Sequence, residues 1–318
     1  MSKPRKKKRP PKRVLTLPDV EQSKAAVLNT LTSKSGQRSY DRAITDFVDW
    51  CCSEPRLAFN RTVVLRYRIF LEQKQYAATT INLRLAAVRR VAFEAADSGL
   101  LSPELAAGIR RVKGVRRIGV RVGNWVTVEQ AKRLLAVVDR GSLRGKRDYA
   151  MIAMLIGCGL RRGELLGLRV DSIQSREEHW VIADLLGKAG HIRTVPIPSW
   201  VTAAIDEWKE AGCITEGALF PSTNKTGRVW GTGMTPKVLW EVVQAAKRAS
   251  IEKLAPHDLR RSCARLCHLA GGELDQIQSL LGHVSIQTTE RYLGCKQKLR
   301  FAVNDRKGVE PDNPPASQ

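Results

Sequence analysis

The sequence has no apolar run of the roughly 18–20 residues that a membrane span needs, so no transmembrane segment is expected. Its basic N-terminus is not followed by an apolar stretch, and a secretory signal is not expected either. No Cys-x-x-Cys pair occurs. The seven cysteines, at positions 51, 52, 158, 213, 263, 267 and 295, are odd in number and lie mostly among apolar neighbours. They read as reduced, buried thiols of a cytoplasmic protein rather than as a disulfide framework. Cys263, Cys267 and His268 stand close together, but the two cysteines are four apart on an apolar helix face and no second ligand pair has zinc spacing. No metal is therefore expected. Acidic residues are also scarce: 31 Asp and Glu stand against 54 Lys and Arg, a formal charge of +23. Such an excess attracts polyanions, nucleic acid first among them.

What is present fits about two globular domains, since 318 residues with 43% hydrophobic content can build more than one core. Residues 1–20 form a basic tail; its first 13 carry eight Lys and Arg and no acid, and cannot fold alone. Such a tail can lie along phosphates, and short basic runs are also read as import signals. Residues 21–111 are helical in pattern and make the first domain. Ile44, Phe47, Val48 and Cys51 recur at helical spacing, as do Val63, Tyr67, Phe70 and Leu71. The clearest helix starts near Thr79–Thr80 as its cap, carries Ile81, Leu85, Val88, Ala92 and Ala95 as one stripe, and ends at Gly99. Its other faces bear Asn82, Arg84, Arg89 and Arg90, which suit either a solvated or a phosphate-facing surface.

Residues 112–124, rich in Gly and Arg, read as a basic linker, and 125–300 as a second domain. Thr127 and Gln130 fit a capping box ahead of Ala131, Leu134, Leu135 and Val138. One β-like stretch interrupts the helices: Trp180–Ile182 and Ile192–Ile197 flank the turn residues Gly187–Gly190, as in a hairpin or small sheet. Residues 301–318 are a polar, Pro-rich tail.

Three stretches could carry chemistry on a phosphodiester. Such chemistry needs arginines, whose planar fork holds phosphate oxygens, together with a nucleophile, an acid and a base. The first stretch is Gly159-Leu160-Arg161-Arg162-Gly163-Glu164, a glycine break that sets Arg and Glu near a helix start. In the second, Pro256-His257-Asp258-Leu259-Arg260, proline suits a helix beginning and His257 and Arg260 share one face. The third is Leu281-Gly282-His283, then Ser285 as a helix cap, then Thr289-Glu290-Arg291-Tyr292.

In this order the three stretches resemble the tyrosine recombinase, or phage integrase, superfamily over about residues 39 to 297. The resemblance implies a mainly α fold with a small β-sheet, a two-domain DNA clamp made of a helical core-binding domain and a tyrosine recombinase catalytic domain. Matched by position, it implies Arg161 and Arg260 as the phosphate clamp, His257 as the base, His283 as a phosphate hydrogen-bonder and Tyr292 as the nucleophile. Lys188 matches the family's hairpin lysine in Gly187-Lys188-Ala189-Gly190-His191-Ile192-Arg193-Thr194-Val195-Pro196, although Ala189 and His191 replace the usual Gly and Lys. Lys188 would then protonate the leaving 5′-oxygen. Neither ATP, metal nor another cofactor is implied. The implied partners are double-stranded DNA with paired recombination sites and, as a homotetramer, further copies of the chain. The segment from Leu293 to about Gly308, with apolar Leu299, Phe301, Ala302 and Val303, is expected to dock on a neighbouring copy or else to cover its own domain.

Other readings stay open on sequence alone. A type IB topoisomerase shares the residue set, and a non-catalytic DNA-binding protein could retain the scaffold. Glu164 is read as orienting Arg161, and Arg261, about 100° from Arg260, as facing solvent or the DNA backbone. His179, His191 and His268 have no matching role.

Overall fold

The computed structural model describes residues 17–53, 58–116, 124–187, 190–224 and 227–293. The basic run 1–13, residues 117–123 of the linker, Lys188 and everything after Leu293 lie outside the described residues. The chain divides into two compact units, Met1–Val120 and Arg121–Gln318.

The first unit is built from helices α1 (Leu17–Asn29), α2 (Lys34–Ser53), α3 (Arg61–Gln73), α4 (Ala78–Asp97) and α5 (Pro103–Arg110). Helix α4 is central because it is apolar on two sides. The stripe Ile81, Leu85, Val88, Ala92 and Ala95 is buried against Val63, Tyr67 and Leu71 of α3 and Phe47 of α2. Ala87 and Val91 meet Val27 of α1 and Ile44 of α2. Thr79 and Thr80 do not cap α4: it begins at Ala78, and Ala77 at the cap position makes no side-chain bond. Tertiary burial of the two faces holds the helix without it.

Three of the polar side chains of α4 are engaged within the unit. Asn82 exchanges two hydrogen bonds with the Val115 backbone, at 3.0 and 2.8 Å. Arg84 pairs with Asp46 at 2.6 Å and lies 4.6 Å over the Tyr76 ring. Arg89 donates to the Val112 carbonyl. These groups fasten α4 to α2 and to the chain beyond α5.

In the second unit, α6 (Val128–Ala136) opens on the Thr127–Gln130 capping box, closed by bonds of 3.2 and 2.9 Å. Helix α7 (Leu143–Gly157) is buried on every side from Ala150 to Ile156 and forms the core axis. After the short α8 (Arg162–Leu166) comes an antiparallel sheet of β1 (Ile173–Arg176), β2 (His179–Leu186) and β3 (Ile192–Pro196), in that order. Strands β2 and β3 are the expected hairpin; β1 is a third strand that the sequence reading lacked.

A bulge in β2 sets which side chains face inward. Ile182 pairs with Val195 and Leu185 with Arg193, so β2 spends one residue more than β3 over that interval. Asp184 absorbs the extra residue at φ 48°. Ile182 and Leu185 are three apart and would lie on opposite faces of a regular strand; with the bulge both are buried.

Helix α9 (Ser199–Gly212) packs on α7 through Val201 and Trp208. A two-stranded sheet, β4 (Ser222–Thr223) with β5 (Val229–Trp230), precedes α10 (Pro236–Val243). The unit continues with α11 (Pro256–Leu269), α12 (Leu274–Leu281) and α13 (Ile286–Leu293). Cys158 and Cys263 are buried and Cys51 and Cys267 half-buried, but Cys52 and Cys213 are exposed, against the expectation of uniformly buried thiols. Cys52 sits one helical step away from the core-facing side of α2, and Cys213 is the left-handed C-cap of α9. No helix among the described residues is long and apolar enough to cross a membrane.

Candidate active site

The site is assembled on turns that end helices. Helix α7 stops at Gly157, and Gly159 follows at φ +60°. A Cβ there would lie 3.0 Å from Leu281 Cδ2 and 3.1 Å from Cys263 Sγ, so both backbone conformation and space require glycine. The turn delivers Arg161 to the N-cap of α8. Glu164, three residues on, accepts from the Arg161 backbone N–H at 2.8 Å and from its guanidinium at 2.6 Å.

Glu164 also gathers arginines from elsewhere. Arg193 shares the inward face of β3 with Val195 and donates to both carboxylate oxygens of Glu164, at 3.0 and 2.9 Å. Arg260 of α11 stands 3.9 Å from the same carboxylate. Burial alone would raise the Glu164 pKa; the hydrogen bonds from Arg193 and Arg161 outweigh it and hold it at about 2.

The C-terminus of α12 supplies a second negative pole. Its last carbonyls have no partner within the helix and carry the negative end of the helix dipole. Three successive ones take three guanidinium groups. The Leu280 carbonyl accepts from Arg193 at 3.1 Å, that of Leu281 from Arg260, and that of Gly282 from Arg161 at 3.2 Å. Gly282 turns the chain at φ +60°, where a Cβ would sit 2.8 Å from Arg193 Cδ. Arg260, 1% exposed, also donates to the Gly159 carbonyl at 2.6 Å. Burial, with Arg161 close by, lowers its pKa to about 10.

Tyr292 faces this cluster from α13. Its hydroxyl is 3.0 Å from Nε2 of His257, which stands in the first turn of α11 behind Pro256. The His283 ring meets the Tyr292 ring edge to face, with centroids 5.1 Å apart. His283 Nδ1 is 3.0 Å from the hydroxyl of Thr289, which is wholly buried. Burial and the nearby arginines depress both imidazoles, His257 below its ordinary value and His283 to about 4, which favours their uncharged forms. Burial pushes the Tyr292 phenol up, while Arg260 and Arg261 pull it down.

Arg261 does not point to solvent. Its guanidinium lies 4.9 Å over the Tyr292 ring and donates to Asp258 at 3.4 Å. The helical rotation that turns it away from Arg260 turns it towards α13, which packs alongside α11.

Arg161, His257, Arg260, His283 and Tyr292 are thus brought together. Lys188 lies outside the described residues. Its neighbour Gly187 comes up against the cluster: a Cβ there would be 3.3 Å from Arg193 Nη1 and 3.5 Å from Arg161 Nη1. An open cleft of about 370 Å³, lined by Gly187, Arg193, Thr194, Gln278 and His283 among others, adjoins it. Among the described residues no group of three or more His, Cys, Asp or Glu is placed to hold a metal ion. Arg193, Thr289 and Arg261 are the participants that sequence reasoning missed. For Arg193 a signal existed, an arginine two residues from an apolar strand position.

A model of the phage integrase family matches residues 124–298. Tyrosine recombinase XerA of Pyrococcus furiosus is 29% identical over 241 residues, covering 75% of this chain and 78% of that protein. Tyrosine recombinase XerC of Xylella fastidiosa is 30% identical over 217 residues, covering 68% and 70%. Among solved structures, XerH site-specific recombinase bound to a palindromic difH substrate superposes with a TM-score of 0.66 at 18% identity, covering 90% of this chain and 87% of that one.

Proposed function

The chain belongs to the phage integrase family, and from that membership and the site we propose that it is a site-specific DNA recombinase that cuts and rejoins DNA through a 3′-phosphotyrosyl bond at Tyr292. The observation that carries the assignment is the Tyr292 hydroxyl held 3.0 Å from His257 Nε2 beside a cluster of arginines. A phenol next to an imidazole base is a nucleophile made ready, and guanidinium groups suit the charge that grows on phosphate oxygens.

In the reaction, the Tyr292 oxygen bonds to phosphorus as the bond from phosphorus to the 5′-oxygen breaks. The phenol proton passes to His257 Nε2. Lys188 gives a proton to the departing oxygen, which leaves as a 5′-hydroxyl. A guanidinium has five N–H groups, and the carbonyls on Arg161 and Arg260 occupy only part of each set. The rest meet the non-bridging oxygens. His283 takes its place through Thr289: with Nδ1 accepting from that hydroxyl, Nε2 carries the proton and donates to phosphate. The covalent bond stores the phosphodiester energy, so an incoming 5′-hydroxyl from a second duplex can reverse the step without ATP.

The substrate is double-stranded DNA with paired recombination sites. Residues 21–111 serve as the core-binding domain and 125–300 as the catalytic domain, with the basic tail and linker on the phosphate backbone. Exchange between two duplexes needs four Tyr292 residues, hence a homotetramer, with the segment after Tyr292 as the joining piece. The work place is the nucleoid of the cytoplasm. The relatives favour strand exchange over topoisomerase-type relaxation. Tyr292→Phe tests the assignment: it should bind a nicked duplex with unchanged affinity yet give no protein–DNA band on a denaturing gel. A covalent band in that variant refutes Tyr292 as the nucleophile.

A further inference from the structure

We propose that Arg261 is a positioning residue of the nucleophile, a cation that Asp258 holds against the face of the Tyr292 ring so that the negative charge gained by the ring oxygen develops beside it. The inference rests on the reading of Tyr292 as nucleophile and adds a residue to it.

Three observations carry it. The Arg261 guanidinium lies 4.9 Å from the Tyr292 ring centroid, inside the range where the negative face of an aromatic ring attracts a cation. The contact is not that of a loose surface side chain, because Asp258 accepts from Arg261 at 3.4 Å and both side chains are largely covered. Asp258 is itself fixed, since its other oxygen accepts the Ala255 N–H at 3.0 Å and so caps α11. The first turn of α11 thus carries the base, His257, on the hydroxyl of Tyr292 and a held cation on its ring.

The electrostatic sense is definite. A cation near the ring is attracted moderately by the phenol quadrupole and more strongly by the full charge of a phenolate. It therefore favours the ionised form and the transition state that leads to it. Other groups face Tyr292 too: Arg260 and His257 from α11, Arg161 from the start of α8, and His283 from the turn before α13. Arg161 and Arg260 are engaged with Glu164, with backbone carbonyls and, on the reading above, with phosphate. Arg261 alone of the three arginines stacks on the ring, and in the proposed complex its effect on the phenol is not shared out to phosphate oxygens. Burial pushes the phenol up, and the arginine neighbours oppose it.

The test uses the full chain and a nicked duplex in single-turnover conditions, with Arg261→Met, which keeps the stem and removes the charge, and Arg261→Lys, which keeps a cation. Arg261→Met should form the covalent complex about tenfold more slowly at neutral pH, equivalent to about one unit in the phenol's pKa. Its rate should rise with pH along a limb displaced by about that unit, and Arg261→Lys should fall between it and wild type. 3-Fluorotyrosine at position 292, a more acidic phenol, should restore the Arg261→Met rate by a larger factor than it changes wild type. The ¹⁹F resonance of that phenol should titrate at higher pH in Arg261→Met than with Arg261 present, a readout that needs no cleavage. An unchanged ¹⁹F titration overturns the proposal. So does an unshifted pH profile with weaker DNA binding and a log K against log salt slope about 0.9 shallower, which would make Arg261 a phosphate contact instead. If the wild type forms no Tyr292 adduct at all, the recombinase reading fails, whatever the ¹⁹F titration gives.

Discussion

Glu164 holds the arginines of the site in register, and Glu164→Gln measures by how much. The substitution keeps the shape and removes the charge. In the folded protein the Glu164 carboxyl has a pKa of about 2, against an ordinary value of 4.5. At about 1.36 kcal/mol per unit the difference corresponds to about 3 kcal/mol of folding stability. That agrees in order of magnitude with the ~3–5 kcal/mol lost when one partner of a buried ion pair is removed. For a domain of this size each kcal/mol moves the midpoint by roughly 2–4 °C, so Glu164→Gln should melt roughly 6–12 °C lower at neutral pH. The pH dependence carries the sign. Because the folded pKa is depressed, the stabilisation is complete above the unfolded value near 4.5 and disappears as pH falls through about 2. The gap between wild type and variant should therefore close across that window. Six of the seven tryptophans lie in the second unit, so intrinsic fluorescence during thermal or urea unfolding reports mainly on the unit that matters. A gap within 2 °C at pH 7, or one that stays constant down to pH 2.5, would refute the reasoning.

Two further outcomes are expected. Lys188→Ala should cleave an ordinary phosphodiester slowly and recover with a 5′-bridging sulfur, because a thiolate leaves without a proton; absence of selective rescue reassigns the acid. Gly282→Ala should lower both stability and cleavage, since φ there is +60° and its Cβ would press on Arg193 at 2.8 Å; a midpoint within 1 °C of wild type with full activity refutes the steric argument.

The apolar plan was legible in the sequence. The α4 stripe, the capping box of α6 and the β2–β3 hairpin follow from periodicities of 3.6 and 2 and from capping and turn residues. Motif order and spacing also picked out Arg161, His257, Arg260, His283 and Tyr292, with Gly159, Pro256 and Gly282 marking the helix boundaries near four of them. What stayed hidden depends on side chains meeting across distant elements. Arg193 reads as a surface charge until the bulge at Asp184 is known, and Arg261 as solvent-facing until α13 is placed beside α11. The contacts of Arg84 and Arg89 on α4 stayed hidden for the same reason. Their partners, Asp46 and the carbonyl of Val112, lie in elements whose docking no local pattern encodes.

The balance of charge in the site bears on how it works. Arg161, Arg193, Arg260 and Arg261 bring four guanidinium groups, while Glu164 and Asp258 bring two carboxylates. The α12 carbonyls offset part of the difference with partial charges only. The site is therefore cationic as it stands, and burial together with that charge lowers the pKa of both imidazoles. An incoming phosphodiester supplies the missing negative charge to donors already fixed by carbonyls and carboxylates, so little reorganisation is needed when it arrives. That order matters for Tyr292. On the proposed reading, an arginine shared with phosphate changes its partners just when the phenol would lose its proton, whereas Arg261 keeps the same partner, Asp258, beside the ring throughout. Under the proposal, the phosphate clamp and the cation on the nucleophile's ring are different arginines, Arg260 and Arg261 being consecutive on α11.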